Sequence, residues 1–409
     1  MRPPNQNPEF RVLLLGNYLP DGQRSMRRFV ELLASGLTQH NISVEVYHPP
    51  VIIGKLGAKG HGIGKWLGYI DKHLLFPFFL RRKIRQLITP HIVHICDHSN
   101  APYTRWLQSI PHLVTCHDLL AVRSALGEIP QHQPRWTGQQ QQAMILRGLK
   151  RSACIASVSN ATRNDVARLI GPEPSRLHVI TNALDDSFIQ IANNPTDTNT
   201  RQDNPLNLPS SAPYVMHIGG EKWYKNRAAV LRIFSKLSQQ DDTLQLVIVG
   251  PRFSEVQLKA NQCGALSRQI HYMEGINDTE LQALYSGAEL LLFPSWLEGF
   301  GWPILEAQAC GCAVATLNIA PMNELNATET LILDANATET LILDANATGP
   351  QWDEHASTQC LKYIQLDAPE KATAQSQMKH FAATFTNDSA ISAYCTLYKE
   401  LLTSNSTVS

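Results

Sequence analysis

The sequence predicts an α/β protein made of two doubly wound domains, and three stretches carry that prediction. The first is the opening. Phe10–Gly16, FRVLLLG, is an apolar run suited to a buried strand. A loop with Pro20 and Gly22 follows, then Ser25–Leu37 with Met26, Phe29, Leu32, Leu33 and Leu37 at helical spacing, then a second strand at Ile42–Tyr47. A β-loop-α-β start makes a parallel sheet the default. The second stretch is Tyr214–Ile218, which begins another such series after a polar region. The third is Leu290–Val314, a strand, a glycine-containing loop, a helix and a further strand.

Bulk properties agree. The 409 residues leave room for two domains of ordinary size. Hydrophobic residues make up 43 % and charged residues 17 %, a globular balance. The formal net charge is zero, so no global field recruits nucleic acid. Met1–Glu9 has no apolar core of a leader peptide, and no run approaches the ~18 apolar residues of a membrane span. The eight cysteines are scattered. Cys310-Gly311-Cys312 is the one close pair, and no second pair or His cluster completes a metal set. Free thiols in a reducing cytoplasm are expected.

Along the first half, Lys55–Arg85 stands out. Lys55, Lys59, Lys65, Lys72, Arg81, Arg82, Lys83 and Arg85 face a single acid, Asp71, with Trp66, Tyr69, Phe76, Phe78 and Phe79 interleaved. This composition fits either a solvated basic face on a core helix or a peripheral membrane contact through residues 55–85. Ile92–Ile95 and Leu113–Cys116 read as strands that end in Asp97-His98 and His117-Asp118. Residues at the carboxyl ends of parallel strands face the ligand crevice, where a histidine can bind a hydroxyl or move a proton. Gln131–Gln142 reads as an exposed loop entering a helix. Cys154–Val158 is a strand, and Ser159 caps the next helix.

Asn, Pro, Thr, Asp and Ser crowd Ile191–Ala212, which predicts a solvated linker. After the Tyr214–Ile218 strand comes Gly219-Gly220-Glu221-Lys222-Trp223-Tyr224-Lys225, where a lysine beyond a glycine loop suits a diphosphate as counter-charge, or is simply an exposed loop cation. Leu244–Gly250 is a strand, and Thr279–Gly287 a helix. Leu290–Phe293 is a buried strand closed by Pro294-Ser295. Glu298-Gly299-Phe300-Gly301 forms the following loop, and Pro303 suits the first turn of the helix that Gly311 ends. A helix N-terminus after a glycine loop favours an anion, typically a phosphate. Glu298 and Glu306 frame that place. Carboxylates grip hydroxyls, so phosphate-binding and hydroxyl-binding groups side by side describe a sugar-nucleotide site. Read alone, Glu306 only complements the helix dipole and Glu298 is a solvated loop residue.

The string FPSWLEGFGWPILEAQACGCAV, Phe293–Val314, closely resembles the signature of family 4 retaining glycosyltransferases. The resemblance implies the GT-B fold, two Rossmann-like domains facing across a cleft, with no metal at the leaving group and a nucleotide diphosphate sugar as donor. It implies contact of Glu298 with the donor sugar, of Glu306 with the ribose, and of the Gly299, Phe300 and Gly301 backbone with sugar and pyrophosphate. TCHDLL resembles the family's His-Asp motif and puts His117 by the donor sugar, while His98 has no counterpart. The glycine loop resembles the phosphate-binding loop, with Gly219 in it and Lys225 on the usual lysine. The family often has Arg where Tyr224 stands, and Lys222 is the candidate second charge. Gly22 lies in the first loop, beside donor phosphates and acceptor. The stretch around Ile276 resembles the element that reads the base through its backbone.

The resemblance also implies the layout. Residues 1–184 form the acceptor-side domain, 185–212 a polar linker, 213–384 the nucleotide-sugar domain, and 385–409 a helix crossing back to the first. The expected reaction is hexosyl transfer, with a lean towards mannose, to a glycan or lipid-linked acceptor. A cytoplasmic enzyme, peripheral at the membrane inner face, is expected. An epimerase or phosphorylase on the same fold, or a non-catalytic sugar-nucleotide binder, are the alternatives. One oddity remains. Asn326–Ala335, NATETLILDA, recurs letter for letter as Asn336–Ala345. Two such short copies make no solenoid, and one copy is expected to take a sheet position while the other stays outside the regular fold.

Overall fold

A computed structural model describes residues 10–56, 63–87, 91–129, 132–193, 212–325, 331–333 and 350–406. The chain divides into two compact units: Met1–Ala183 with Asn387–Ser409, and Leu184–Thr386.

The first unit holds a parallel sheet of β1 (Arg11–Leu15), β2 (Ser43–Tyr47), β3 (His91–Ile95), β4 (His112–Cys116), β5 (Cys154–Ser157) and β6 (Leu177–Val179). Their order is β2-β1-β3-β4-β5-β6. Both faces of the central strands are covered, which is why β4 and β5 are buried at every position and read as continuous apolar runs. The last helix, Asn387–Ser406, belongs to this unit. Its Tyr398 hydroxyl lies 2.7 Å from His94 Nδ1, and its Tyr394 hydroxyl lies 3.0 Å from Thr115 Oγ1. His94 Nε2 meets the same Thr115 hydroxyl at 2.7 Å. This polar chain, fully buried, ties the helix to β3 and β4.

One local expectation needs revision here, and the basic segment gains detail. The Gln-rich stretch is not a loop throughout, because the helix already begins at Trp136 and runs to Arg151. Glutamine is a good helix former, and buried Ile145 and Leu149 anchor the helix from further along. The basic segment is two helices, Ile63–Ile70 and Phe76–Arg85, joined by a π-turn at Asp71–Leu75. Asp71 turns inward there. Its carboxylate accepts from the Ile52, Ile53 and Gly54 amides and from the Tyr18 hydroxyl at 2.7 Å. The lone acid of that stretch therefore organises a loop rather than balancing surface charge.

The second unit repeats the scheme with β7 (Tyr214–Ile218), β8 (Gln245–Val249), β9 (Ile270–Met273), β10 (Leu290–Phe293), β11 (Ala313–Leu317) and β12 (Leu331–Leu333), in the order β12-β11-β10-β7-β8-β9. Its core gathers Leu231, Phe234, Ile248, Leu292 and Ala315. The expected linker from 185 does not start as a linker. Asp186–Asn193 is a helix of this unit, with Phe188 and Ala192 buried one turn apart. Its apolar residues, Phe188, Ile189, Ile191 and Ala192, span little more than one turn, too short for periodicity to separate a helix from a strand. Residues 194–211 lie outside the described residues. Of the duplicated decapeptides, the first contributes β12, paired with β11 from Ala315↔Leu331 to Leu317↔Leu333. Thr340–Leu343 of the second lies outside the described residues.

Candidate active site

In an open parallel sheet, ligands settle beyond the carboxyl ends of the strands where the strand order reverses. In the second unit that point lies between β7 and β10. The loops leaving these two strands are joined by the Trp296 amide donating to the Tyr224 carbonyl at 2.8 Å, and Trp223 packs on Trp296 with ring centroids 6.0 Å apart. This zipper brings together two residues separated by 73 positions. Lys225 Nζ donates to Glu298 Oε1 at 2.6 Å. Both side chains are mostly buried, 19 % and 12 % exposed, and the ammonium also sits 5.3 Å from the centroid of the Phe293 ring. A cation so placed is poised to exchange its carboxylate for an incoming anion.

Below this pair lies a residue that pattern reading passes over, because it sits inside an apolar strand. His217 is fully buried. Its Nδ1–H donates to the Leu292 carbonyl at 2.8 Å. Burial pushes its pKa down to about 4, against that hydrogen bond and helped by the cations Arg227 and Lys225, so the ring is neutral. Nε2 is then an acceptor, and it has no hydrogen-bond partner among the described residues. A Cβ at Gly219 would lie 3.1 Å from that nitrogen and 3.6 Å from Lys225 Cδ. Gly250 closes the other side, where its own Cβ would stand 2.4 Å from the Gly219 carbonyl oxygen. The glycines at 219 and 250 thus permit a close approach of two strand-end loops, which no larger residue allows.

Glu306 belongs to the helix Trp302–Ala309 and is 5 % exposed. The Tyr285 hydroxyl donates to Glu306 Oε2 at 3.4 Å, and burial together with the Glu306 charge raises the phenol's pKa well above its usual value, which keeps it a donor. Tyr285 is backed in turn by Phe188, ring centroids 6.5 Å apart, from the helix that replaces the expected linker. Gly301 precedes the Trp302 helix with φ +112 and brings no capping side chain. Phe300 is 5 % exposed and meets Trp302 and Phe385 edge-on, so its ring anchors the loop. Ile276 is half-buried between Gly275 and the helix cap Asn277. Lys222 is exposed, and its carbonyl accepts from the Lys225 amide at 3.0 Å. A second cation does lie close by. Arg227 is 7 % exposed, with its guanidinium carbon 4.1 Å from the Phe253 ring centroid and a hydrogen bond to the Pro251 carbonyl. It follows Lys225 by only two residues, and its helix-start position was the available signal.

In the first unit the strand order reverses between β1 and β3. A cavity of about 360 Å³ opens beside it, beyond the ends of β1 and β2, lined among others by Asn17, Gly22, Gln23, Arg24, Arg27 and His48. Asn17 organises it, bonding Gln23 and Asp97 through its amide nitrogen and accepting from Asn100 at 2.7 Å. Gly22 ends the short turn Leu19–Asp21 at φ +66. His117, at the end of β4, is 6 % exposed and packs edge-on against Phe29 at 4.8 Å. Burial lowers its pKa, partly offset by Asp97. The neutral ring donates Nε2–H to the Cys96 carbonyl at 2.9 Å, which makes Nδ1 an acceptor.

Comparison with known proteins follows the same division. The model for "Glycosyltransferase Family 4" matches residues 26–188, and that for "Glycosyl transferases group 1" matches 198–343. A D-inositol 3-phosphate glycosyltransferase of Xylanimonas cellulosilytica is 25 % identical over 56 % of this chain and 53 % of its own length. The O-antigen chain mannosyltransferase B of Escherichia coli is 25 % identical over 55 % of this chain and 59 % of its own. The chain thus spans little more than half the length of these curated relatives. Among solved structures, sucrose-phosphate synthase from Thermosynechococcus elongatus superposes with TM-score 0.68 at 15 % identity, covering 97 % of this chain and all of that one. Anabaena HepE, in complex with UDP and glucose, gives TM-score 0.64 at 14 % identity, with 96 % and 100 % covered.

Proposed function

Because this chain belongs to the group 1 glycosyltransferases of family 4, with the GT-B fold, we propose that it moves a hexosyl unit from a nucleotide diphosphate sugar to an acceptor hydroxyl, with retention at the anomeric carbon. The observation that carries this reading is the Lys225–Glu298 pair at the β7/β10 switch point. The donor diphosphate draws Lys225 away from Glu298. Glu298 is thereby released to accept from hydroxyls of the donor sugar, and Lys225 neutralises charge that grows on the leaving diphosphate. Tyr285 holds Glu306 for the ribose hydroxyls, while Gly299, Gly301 and Gly219 let backbone approach the phosphates and Ile276 borders the base. Within the first unit, His117 Nδ1 is the acceptor available to a substrate hydroxyl. The acceptor enters on the Gly22 side of the first unit. The E. coli mannosyltransferase relatives support a mannosyl donor.

A thermal-shift panel of GDP, UDP, ADP and their hexose conjugates tests the donor. A ligand at ~100 times its dissociation constant adds roughly 2.7 kcal/mol to native stability, so one base is expected to raise the melting temperature clearly above the others. No shift with any of them overturns the reading.

We also place the protein at a membrane surface, at the inner face of the membrane. No helix among the described residues is long and apolar enough to cross a membrane. Leu74 and Phe78, however, are 69 % and 68 % exposed, with Arg82 and Arg85 exposed on the same helical segment. Apolar side chains beside cations suit an anionic lipid surface. Co-sedimentation with phosphatidylglycerol vesicles at low salt is expected, and Arg82→Glu with Arg85→Glu is expected to abolish it. Absence of the unsubstituted protein from the pellet rejects the membrane contact.

A further inference from the structure

A second cavity in the first unit, of about 600 Å³, lies between the helices Ile63–Ile70 and Trp136–Arg151. One wall presents Trp66, Tyr69 and His73, three and four residues apart and so on one helical face. The other presents Trp136, Gln140 and Met144 at four-residue steps, with Gln141 beside them. Trp66 is 60 % exposed and Trp136 70 %. Two indole faces turned to solvent across one concavity are a costly arrangement for a globular surface unless something covers them.

The polar groups of the cavity say what covers them. Tyr69 donates its hydroxyl to Gln141 Oε1 at 3.0 Å, which fixes that amide with its NH2 group as the part left for a ligand. Tyr69 also stacks on His73 at 5.7 Å and meets Trp66 at 5.9 Å, so the three rings form one continuous wall. Aromatic faces for C–H surfaces, together with amides that both donate and accept, match a pyranose ring, with its apolar faces and equatorial hydroxyls. A bilayer needs a protruding face with several cations, whereas this surface is concave and Arg135 is the sole Lys or Arg among its lining residues. The cavity also adjoins the loop after β1. Lys72 stands 4.7 Å from the Tyr69 ring centroid and donates to Asp21 at 2.8 Å, and Asp21 lies in the turn that Gly22 ends.

We propose that the Trp66–Trp136 groove binds the carbohydrate chain of the acceptor, sugar units remote from the hydroxyl that receives the new hexose. This rests on the transferase reading for its purpose but not for its detection. The acceptor is then an oligosaccharide or an oligosaccharide-bearing molecule, and chain length sets affinity.

The first test needs no donor. Tryptophan emission is followed while mannotetraose and a glucose tetrasaccharide are added to the full chain, with the monosaccharides as controls. A saturable change with a tetrasaccharide, absent for its monosaccharide and lost in Trp136→Ala, supports the groove. No saturable change, or the same change in Trp136→Ala, overturns it. In turnover, Trp136→Ala is expected to raise the oligosaccharide KM about tenfold and to leave the donor KM, kcat and the nucleotide-induced melting shift unchanged, with Trp136→Phe recovering most of the loss. An unchanged acceptor KM, or loss of vesicle binding in Trp136→Ala with no effect on oligosaccharide, overturns the proposal in favour of a lipid-facing surface. Failure of every nucleotide to shift the melting temperature strikes at the transferase reading instead, and the emission titration still decides the groove.

Discussion

Lys225→Met is expected to lower kcat for hexosyl transfer by about 10²–10³-fold, the usual loss when one preorganised group facing developing charge is removed. The reason is positional. The ammonium is only 19 % exposed and packs near the Phe293 ring, so its field is screened less than that of a surface lysine. The same enclosure complicates the experiment, since the variant leaves Glu298 mostly buried without its cation, which destabilises. Glu298→Gln and the double variant resolve this. The two residues touch at 2.6 Å, so their effects are expected to be strongly non-additive. Melting temperature should recover in the double variant while transfer stays low. Transfer within threefold of the unsubstituted rate in Lys225→Met would remove Lys225 from the mechanism.

Lowering the pH from 7.5 to 5.0 is expected to cost the fold at least about 4 kcal/mol, roughly 2 from each of the two buried histidines whose pKa values lie lowest. Burial takes the pKa of His94 down to about 3, with His117 adding to the effect, and that of His217 to about 4. Unfolded histidine titrates near 6.5. Between those values the unfolded chain binds protons that the native chain refuses. Stability is therefore full above about pH 6.5 and falls as the pH drops towards 4. Asp71, Asp97 and Glu128 have lowered pKa values, so the stability they confer is lost only at lower pH, below this window. The two histidines sit in different units, so His94→Gln should reduce the pH response of the first unit, where His112 and His117, their pKa values also lowered by burial, still act in the same direction, and leave that of the second unchanged. Urea unfolding at both pH values measures this, and equal midpoints at pH 7.5 and 5.0 would refute it.

The elements that were legible in sequence are those with a strong local cause. Leu290–Phe293 and Tyr214–Ile218 coincide with strands because strands of a sheet covered on both faces must be apolar throughout. Ser159 caps its helix as its side chain requires. The misread stretches lacked such a cause. Asp186–Asn193 is only eight residues long, and its helix exists because Phe188 and Ala192 find a partner surface in the second unit. His217 looked like one polar letter in an apolar run.

By itself, then, the sequence determined two parallel α/β units, the loop–helix element at Glu298–Glu306 and the chemical character of the residues that border it, because these follow from periodicity, capping and residue type within a few positions. Only the tertiary structure decided that Lys225 pairs with Glu298, that Tyr285 holds Glu306, that Asp71 gathers the Ile52–Gly54 amides, and that His217 keeps a bare acceptor beneath Gly219. Each of those depends on segments separated along the chain arriving at one place, and on how much water they exclude when they meet. Neither quantity is written in any short window of the chain.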